Sequence, residues 1–122
     1  MKAVESVAGF TIFQDVSSAT DWYFNITNIN FIPDMIIVRN ISLQGTASGE
    51  VYNIWSDLVN GDGIIGSLTI DSQIQPHSKF QSNGSVNGNH HFKLYTSDKS
   101  TASAVTNLDN LVINLEFVKY AK

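Results

Sequence analysis

The stretch INFIPDMIIVRNISLQG, residues 29–45, is the most apolar run in the chain. Three readings compete for it: a signal or membrane segment, a core strand, or a surface for another copy of the protein. Pro33, Asp34, Arg39 and Asn40 all fall inside it. A membrane span needs roughly 18–20 apolar residues in a row, so this run is too short and too polar to cross a bilayer. Within it, Met35–Leu43 is dense in β-branched residues, which favours a strand. Pro33 fixes its own φ and suits a strand entry. Side chains alternate along a strand. Alternation would put Met35, Ile37, Arg39, Ile41 and Leu43 on one face, and Ile36, Val38, Asn40 and Ser42 on the other. Both faces start apolar, so the stretch predicts a central core strand.

Working outward, the chain divides into short extended segments. SVAGFTIFQ, residues 6–14, is β-rich, with Ala8, Phe10 and Ile12 on one face. DWYFNITNI, 21–29, alternates Trp22, Phe24 and Ile26 against Tyr23, Asn25 and Thr27, the period-two signal of a half-buried strand. Residues 50–55 set Tyr52 and Ile54 (with Ser56) against Val51, Asn53 and Trp55. VNGDG, 59–63, is a hairpin signal, and residues 64–70 return from it. In residues 73–81, Pro76 limits the segment to a sheet edge or a break. SNGSVNGN, 82–89, is a loop, and His90–Thr96 puts Phe92 and Leu94 on one face. A long polar connection, 97–110, precedes LVINLEFVKY, 111–120. There Leu111, Ile113, Leu115 and Phe117 face inward and Asn114, Glu116 and Val118 face away.

These are eight strands, no helix, and turn signals every dozen or so residues. They predict an all-β fold in one domain, residues 1–122: an eight-stranded antiparallel β-sandwich of jelly-roll type. An immunoglobulin-like sandwich is the alternative, without its Cys–Trp–Cys core.

Composition narrows the function. Charged residues make up 15% of the chain, against roughly 25% in an average soluble domain. Asn, Ser, Thr and Gln replace them, giving a neutral, hydrogen-bonding surface suited to close packing among neighbours. Net charge is −4 and the only arginine is Arg39. The basic residues are scattered, whereas neutralising phosphates takes clusters, so no nucleic-acid partner is expected. No membrane partner is expected either, and Glu5 interrupts any apolar core of a signal peptide in MKAVESVAGF. The chain has no cysteine, which removes disulfides, thiolate nucleophiles and cysteine metal sites.

No motif announces a chemistry. His90 and His91 are adjacent, and neighbours on a strand point to opposite faces, so sharing a metal ion would need His77 or an Asp brought in by the fold. Asp57–Gly63 resembles part of a calcium loop but lacks an oxygen ligand at Val59 and a closing glutamate; a hairpin turn explains it better. Glu50, Asp57, Asp62 and Glu116 could supply paired carboxylates, yet no spacing selects two. N-x-S/T sequons start at Asn25, Asn40 and Asn83, of which only Asn83 lies in a loop. Trp22, Tyr23, Tyr52, Trp55 and Tyr95 either form a sugar-stacking platform or leave Trp22 and Trp55 filling the core with the tyrosines at the sheet edges. The expectation is a protein that is not an enzyme, with no catalytic residue, metal or cofactor site, and with any ligand-binding residues unknown.

Two stretches carry a resemblance. FIPDMIIVRNI, residues 31–41, and LEFVKY, residues 115–120, resemble strands of the small single-jelly-roll minor capsid and virion proteins of large DNA viruses and virophages. The resemblance implies a location in the virion and many copies per particle, and it carries over no site residue. The expected function is therefore a structural virion component, such as a minor capsid, cement, spike or fibre protein. Its partners would be copies of itself and other capsid proteins, meeting through loops 82–89 and 97–110 and the termini. A carbohydrate- or receptor-binding sandwich, with a glycan or receptor as partner, is the alternative on the same fold.

Overall fold

A computed structural model describes residues 2–15, 21–46, 49, 51–59, 63–82, 84–96 and 108–121. The described residues form β1 (Ala3–Asp15), β2 (Asp21–Ile26), β3 (Met35–Gly45), β4 (Val51–Ser56), β5 (Ile64–Thr69), β6 (Ser72–Ile74), β7 (Ser78–Gln81), β8 (Gly88–Thr96) and β9 (Leu108–Tyr120). One sheet runs β1-β9-β3, with β6 and β7 both against β3, and the other runs β2-β8-β4-β5. Every pairing is antiparallel.

Among the described residues the sandwich has nine strands where the sequence predicts eight. The difference lies at Pro76, which has no N–H to give a ladder. The expected segment 73–81 splits there into β6 and β7, and His77 takes a left-handed φ of 50° in the gap. With β6 and β7 counted as halves of one strand, the chain pairs like a long folded hairpin: β1 with β9, β2 with β8, β3 with β6 and β7, β4 with β5. Wrapping that hairpin adds β3–β9 and β4–β8, which is the jelly-roll topology.

The core lies between the sheets and follows the period-two pattern. Trp22, Phe24 and Ile26 from β2, Tyr52 and Ile54 from β4, and Phe92 and Leu94 from β8 meet Leu111, Ile113, Leu115 and Phe117 from β9. Each such side chain, fully buried, stabilises the fold by about 1.5–3 kcal/mol. Ser56 is buried too, and its Oγ accepts the Leu58 N–H at 3.1 Å. Ile12 is buried as expected, whereas the side chains of 8–10 lie outside the described residues.

Strand β3 departs from the expected alternation. Ile36 and Val38 are buried, and so are Ile41 and Leu43. These two pairs are out of phase by one residue, so no regular strand could bury both. A bulge resolves the conflict: Val38 pairs with Leu115 and Asn40 with Asn114, leaving Arg39 as the extra residue. β9 also begins earlier than expected, at Leu108, and Val118 is buried though outside the core cluster.

Candidate functional site

The two outer faces differ in what they present. On the first sheet Arg39, at the bulge, places its Nη2 2.8 Å from Glu116 Oε1 of β9. Ser6 Oγ donates to Glu116 Oε2 at 2.7 Å, and Thr11 Oγ1 donates to Asn114 Oδ1 at 2.7 Å. Lys119 and Glu5 approach to 3.9 Å. This face binds its own polar groups together.

The second sheet carries a strip of aromatic side chains on its outer face. Register aligns Tyr23 of β2 with His91 of β8, and Trp55 of β4 with Lys93 of β8. The Tyr23 and His91 rings stack at 4.6 Å, only 2° from parallel. Trp55 meets the His91 ring edge-on at 5.7 Å, and Lys93 Nζ sits 5.5 Å from the indole centroid, within reach of a cation–π attraction. Gly63 holds the indole in place: a Cβ there would lie 2.2 Å from Trp55 Nε1. Asn25 donates to Asn89 Oδ1 at 2.7 Å beside the strip, and Asn53 accepts from Ser67 Oγ. Tyr23 is 64% exposed. One ring face is covered by His91; the other looks outward from β2, the edge strand of this sheet.

The aromatic group therefore divides. Trp22 and Tyr52 belong to the core, while Tyr23, Trp55 and Tyr95 stand on strand positions that point outward. The expectation of both tryptophans in the core and the tyrosines at the edges holds for Trp22 alone: Trp55 stands on the outer face of β4, and Tyr52, on the opposite face of the same strand, is core. His91 was missed as a member of the strip. The signal for it would have been the lateral order β2-β8-β4, which places His91 between Tyr23 and Trp55.

The other singled-out residues do not converge. His90 turns inward at the sheet end, its Nε2 2.8 Å from the Val86 carbonyl, its Nδ1 3.4 Å from Asp57, its ring against Phe24. His90 and His91 thus face opposite ways. His77 sits apart, between β6 and β7. Asp57 accepts the His91 N–H at 3.1 Å, whereas Glu116 lies on the other sheet. Glu50 and Asp62 lie outside the described residues, as do the VNGDG turn at 60–62, Asn83, and most of the connection 97–110. Asn25 and Asn40 lie in strands. In the loop before β8, Val86 is buried, and Asn87 both donates to the Ile29 carbonyl and accepts the Ile29 N–H, at 2.8 and 3.1 Å. Among the described residues no three His, Asp or Glu side chains gather as a metal site.

No protein-family model matches the chain, and no curated protein does. Solved structures do match. The Drosophila NLP core, whose crystal structure concerns pentamer formation and histone binding, aligns with a TM-score of 0.51 at 11% identity, over 96% of this chain and 100% of that one. A Bacillus endospore appendage, from a family of disulfide-linked pili, aligns at 0.40 and 13% identity, over 95% and 87% of the two chains. Tobacco streak virus coat protein aligns at 0.33 and 9% identity, over 96% and 89%. At 11% identity the likeness to the NLP core is one of fold alone.

Proposed function

We propose that the protein is a structural subunit of a virion, a minor capsid, cement, spike or fibre protein, which works by assembling with copies of itself and with other coat proteins and catalyses nothing. The aromatic strip on the β2-β8-β4-β5 face carries this reading. In a chain with a charge-poor surface, Tyr23 keeps 64% of its surface exposed, and exposed aromatics over a polar surround are the composition of protein–protein anchor sites. The jelly-roll fold, shared with a protein core that forms pentamers, supports it, as does the likeness of residues 31–41 and 115–120 to virion proteins. Light scattering after size exclusion, over a range of concentration, tests it. Masses at multiples of the 13.4 kDa chain are expected. A strict monomer at every concentration overturns it.

The open face of Tyr23 favours a second reading, a carbohydrate- or receptor-binding module. A pyranose ring could stack there, with the Asn25–Asn89 amides beside it to meet hydroxyl groups. Titrating neutral oligosaccharides into a Trp22→Phe variant, which leaves Trp55 as the only reporter, tests it. An unchanged Trp55 emission across the series would reject the reading.

A further inference from the structure

A sheet edge offers a row of N–H and C=O groups to any passing strand, and proteins protect such edges with bulges, prolines, lysines or short strands. Three of the edge positions here are protected. β1 carries register breaks at Ala3/Glu5 and Val7/Phe10 and a charge at Glu5, with Lys2 just before it. The β6–β7 edge is cut into strands of three and four residues at Pro76, and β7 carries Lys79. β5 has a bulge opposite Ile54/Trp55 and a glycine at position 66.

β2 is different. Its pairing with β8 runs unbroken from Asp21↔Lys93 to Ile26↔Gly88. The strand DWYFNI has no proline, lysine, glycine or bulge. No other strand among the described residues pairs with its outer edge. Tyr23, in the middle of that strand, is the most exposed large hydrophobic residue described.

We propose that the outer edge of β2 is the contact at which a second copy of this chain adds, antiparallel, about a two-fold axis at Tyr23. This rests on the self-assembly reading above and says where the first contact forms. A two-fold contact must be self-complementary, and β2 meets that condition. With Tyr23 opposite Tyr23 of the second copy, Trp22 falls opposite Phe24 and Asp21 opposite Asn25. Residues of one face thus meet residues of the same face. No like charges meet, which is the usual penalty in antiparallel pairs. The two sheets join into one, main-chain hydrogen bonds supply the affinity, and the exposed tyrosine rings cover each other.

Two variants test this together with the wild-type mass. The chain has no cysteine, so Tyr23→Cys creates a single thiol. Cross-strand Cα atoms directly opposite fall within disulfide reach, so mild oxidation is expected to give a covalent dimer, and Gln73→Cys on β6 is expected to give none. Asn25→Lys puts a charge on the β2 edge and is expected to raise the dissociation constant at least tenfold; Gln73→Lys is expected to leave it unchanged. If the wild type assembles, yet Tyr23→Cys cross-links no better than Gln73→Cys and Asn25→Lys assembles normally, the β2 contact is wrong and the self-assembly reading stands. If the wild type is monomeric at every concentration and no cross-link forms, both are wrong.

Discussion

Arg39 Nη2 lies 2.8 Å from Glu116 Oε1, and Arg39 is the one residue of β3 left without a partner on β9. Their side chains are 44% and 15% exposed, so the pair itself is worth less than about 1 kcal/mol. What matters is the bulge at which the pair sits. That bulge lets Ile36 and Val38 on one side, and Ile41 and Leu43 on the other, reach the same core.

A deletion pair tests the role of the bulge. Deleting Arg39 leaves Ile36, Val38, Ile41 and Leu43 in regular alternation, all still inward. The variant is expected to fold, with a loss of stability close to that of the ion pair, under about 1 kcal/mol. Deleting Ile37 instead shifts the phase, turning Val38 outward and Arg39 toward the core. Burying an unpaired charge costs several kcal/mol or more, so this variant is expected not to fold. Urea unfolding followed by circular dichroism compares the two. Equal damage from both deletions would show that the bulge does not set the phase.

Asn87 holds the loop between β2 and β3 through both backbone groups of Ile29. Asn87→Ala leaves a part-buried N–H and C=O without their partner. The expected loss is about 1–3 kcal/mol, larger than for Asn89→Ala, whose side chain is exposed and only accepts from Asn25. Chemical denaturation midpoints at constant m-value measure the difference.

These features were not equally legible in the sequence. The alternation of Trp22, Phe24 and Ile26, and that of Leu111 through Phe117, could be read directly, because period two needs only the local chain. Eight punctuated segments were enough for the jelly roll, since few topologies close that many short strands. The bulge at Arg39 was not readable, because it is defined by what β9 places opposite. Nor was the aromatic strip. Tyr23, His91 and Trp55 come from three strands, and only the lateral order β2-β8-β4 brings them together. The two tryptophans, by contrast, are separated by local alternation alone: Trp22 shares a face with Phe24 and Ile26, whereas Trp55 falls opposite Tyr52 and Ile54.

Gly63 leaves room for the Trp55 indole and holds φ at +79°, a conformation side-chain-bearing residues adopt only with strain. Gly63→Ala adds a Cβ that overlaps the indole and strains the turn. The expected result is a loss of about 1–3 kcal/mol, with Trp55 displaced from His91 and its emission shifted to the red. An unchanged spectrum would mean that Gly63 does not seat the indole.

The two tryptophans are expected to report opposite environments. Trp22 is 5% exposed and stacks on Phe92 at 5.6 Å, so Trp55→Phe, which retains only Trp22, is expected to emit in the blue and resist both acrylamide and iodide. Trp22→Phe retains only Trp55, on the outer face with Lys93 Nζ 5.5 Å from its centroid. That ammonium attracts anions and repels cations over a distance shorter than the Debye length of roughly 8–10 Å. With each constant taken relative to that of free N-acetyltryptophanamide, iodide is therefore expected to quench Trp55 more strongly than caesium does. Adding Lys93→Ala is expected to bring the two quenching constants together, and raising the salt is expected to do so in part. If caesium and iodide quench Trp55 equally before Lys93 is removed, the lysine is not held over the ring. If Trp22 proves the more accessible of the two, the inward facing of β2 is wrong, and with it the outward placement of Tyr23 on which the aromatic strip depends.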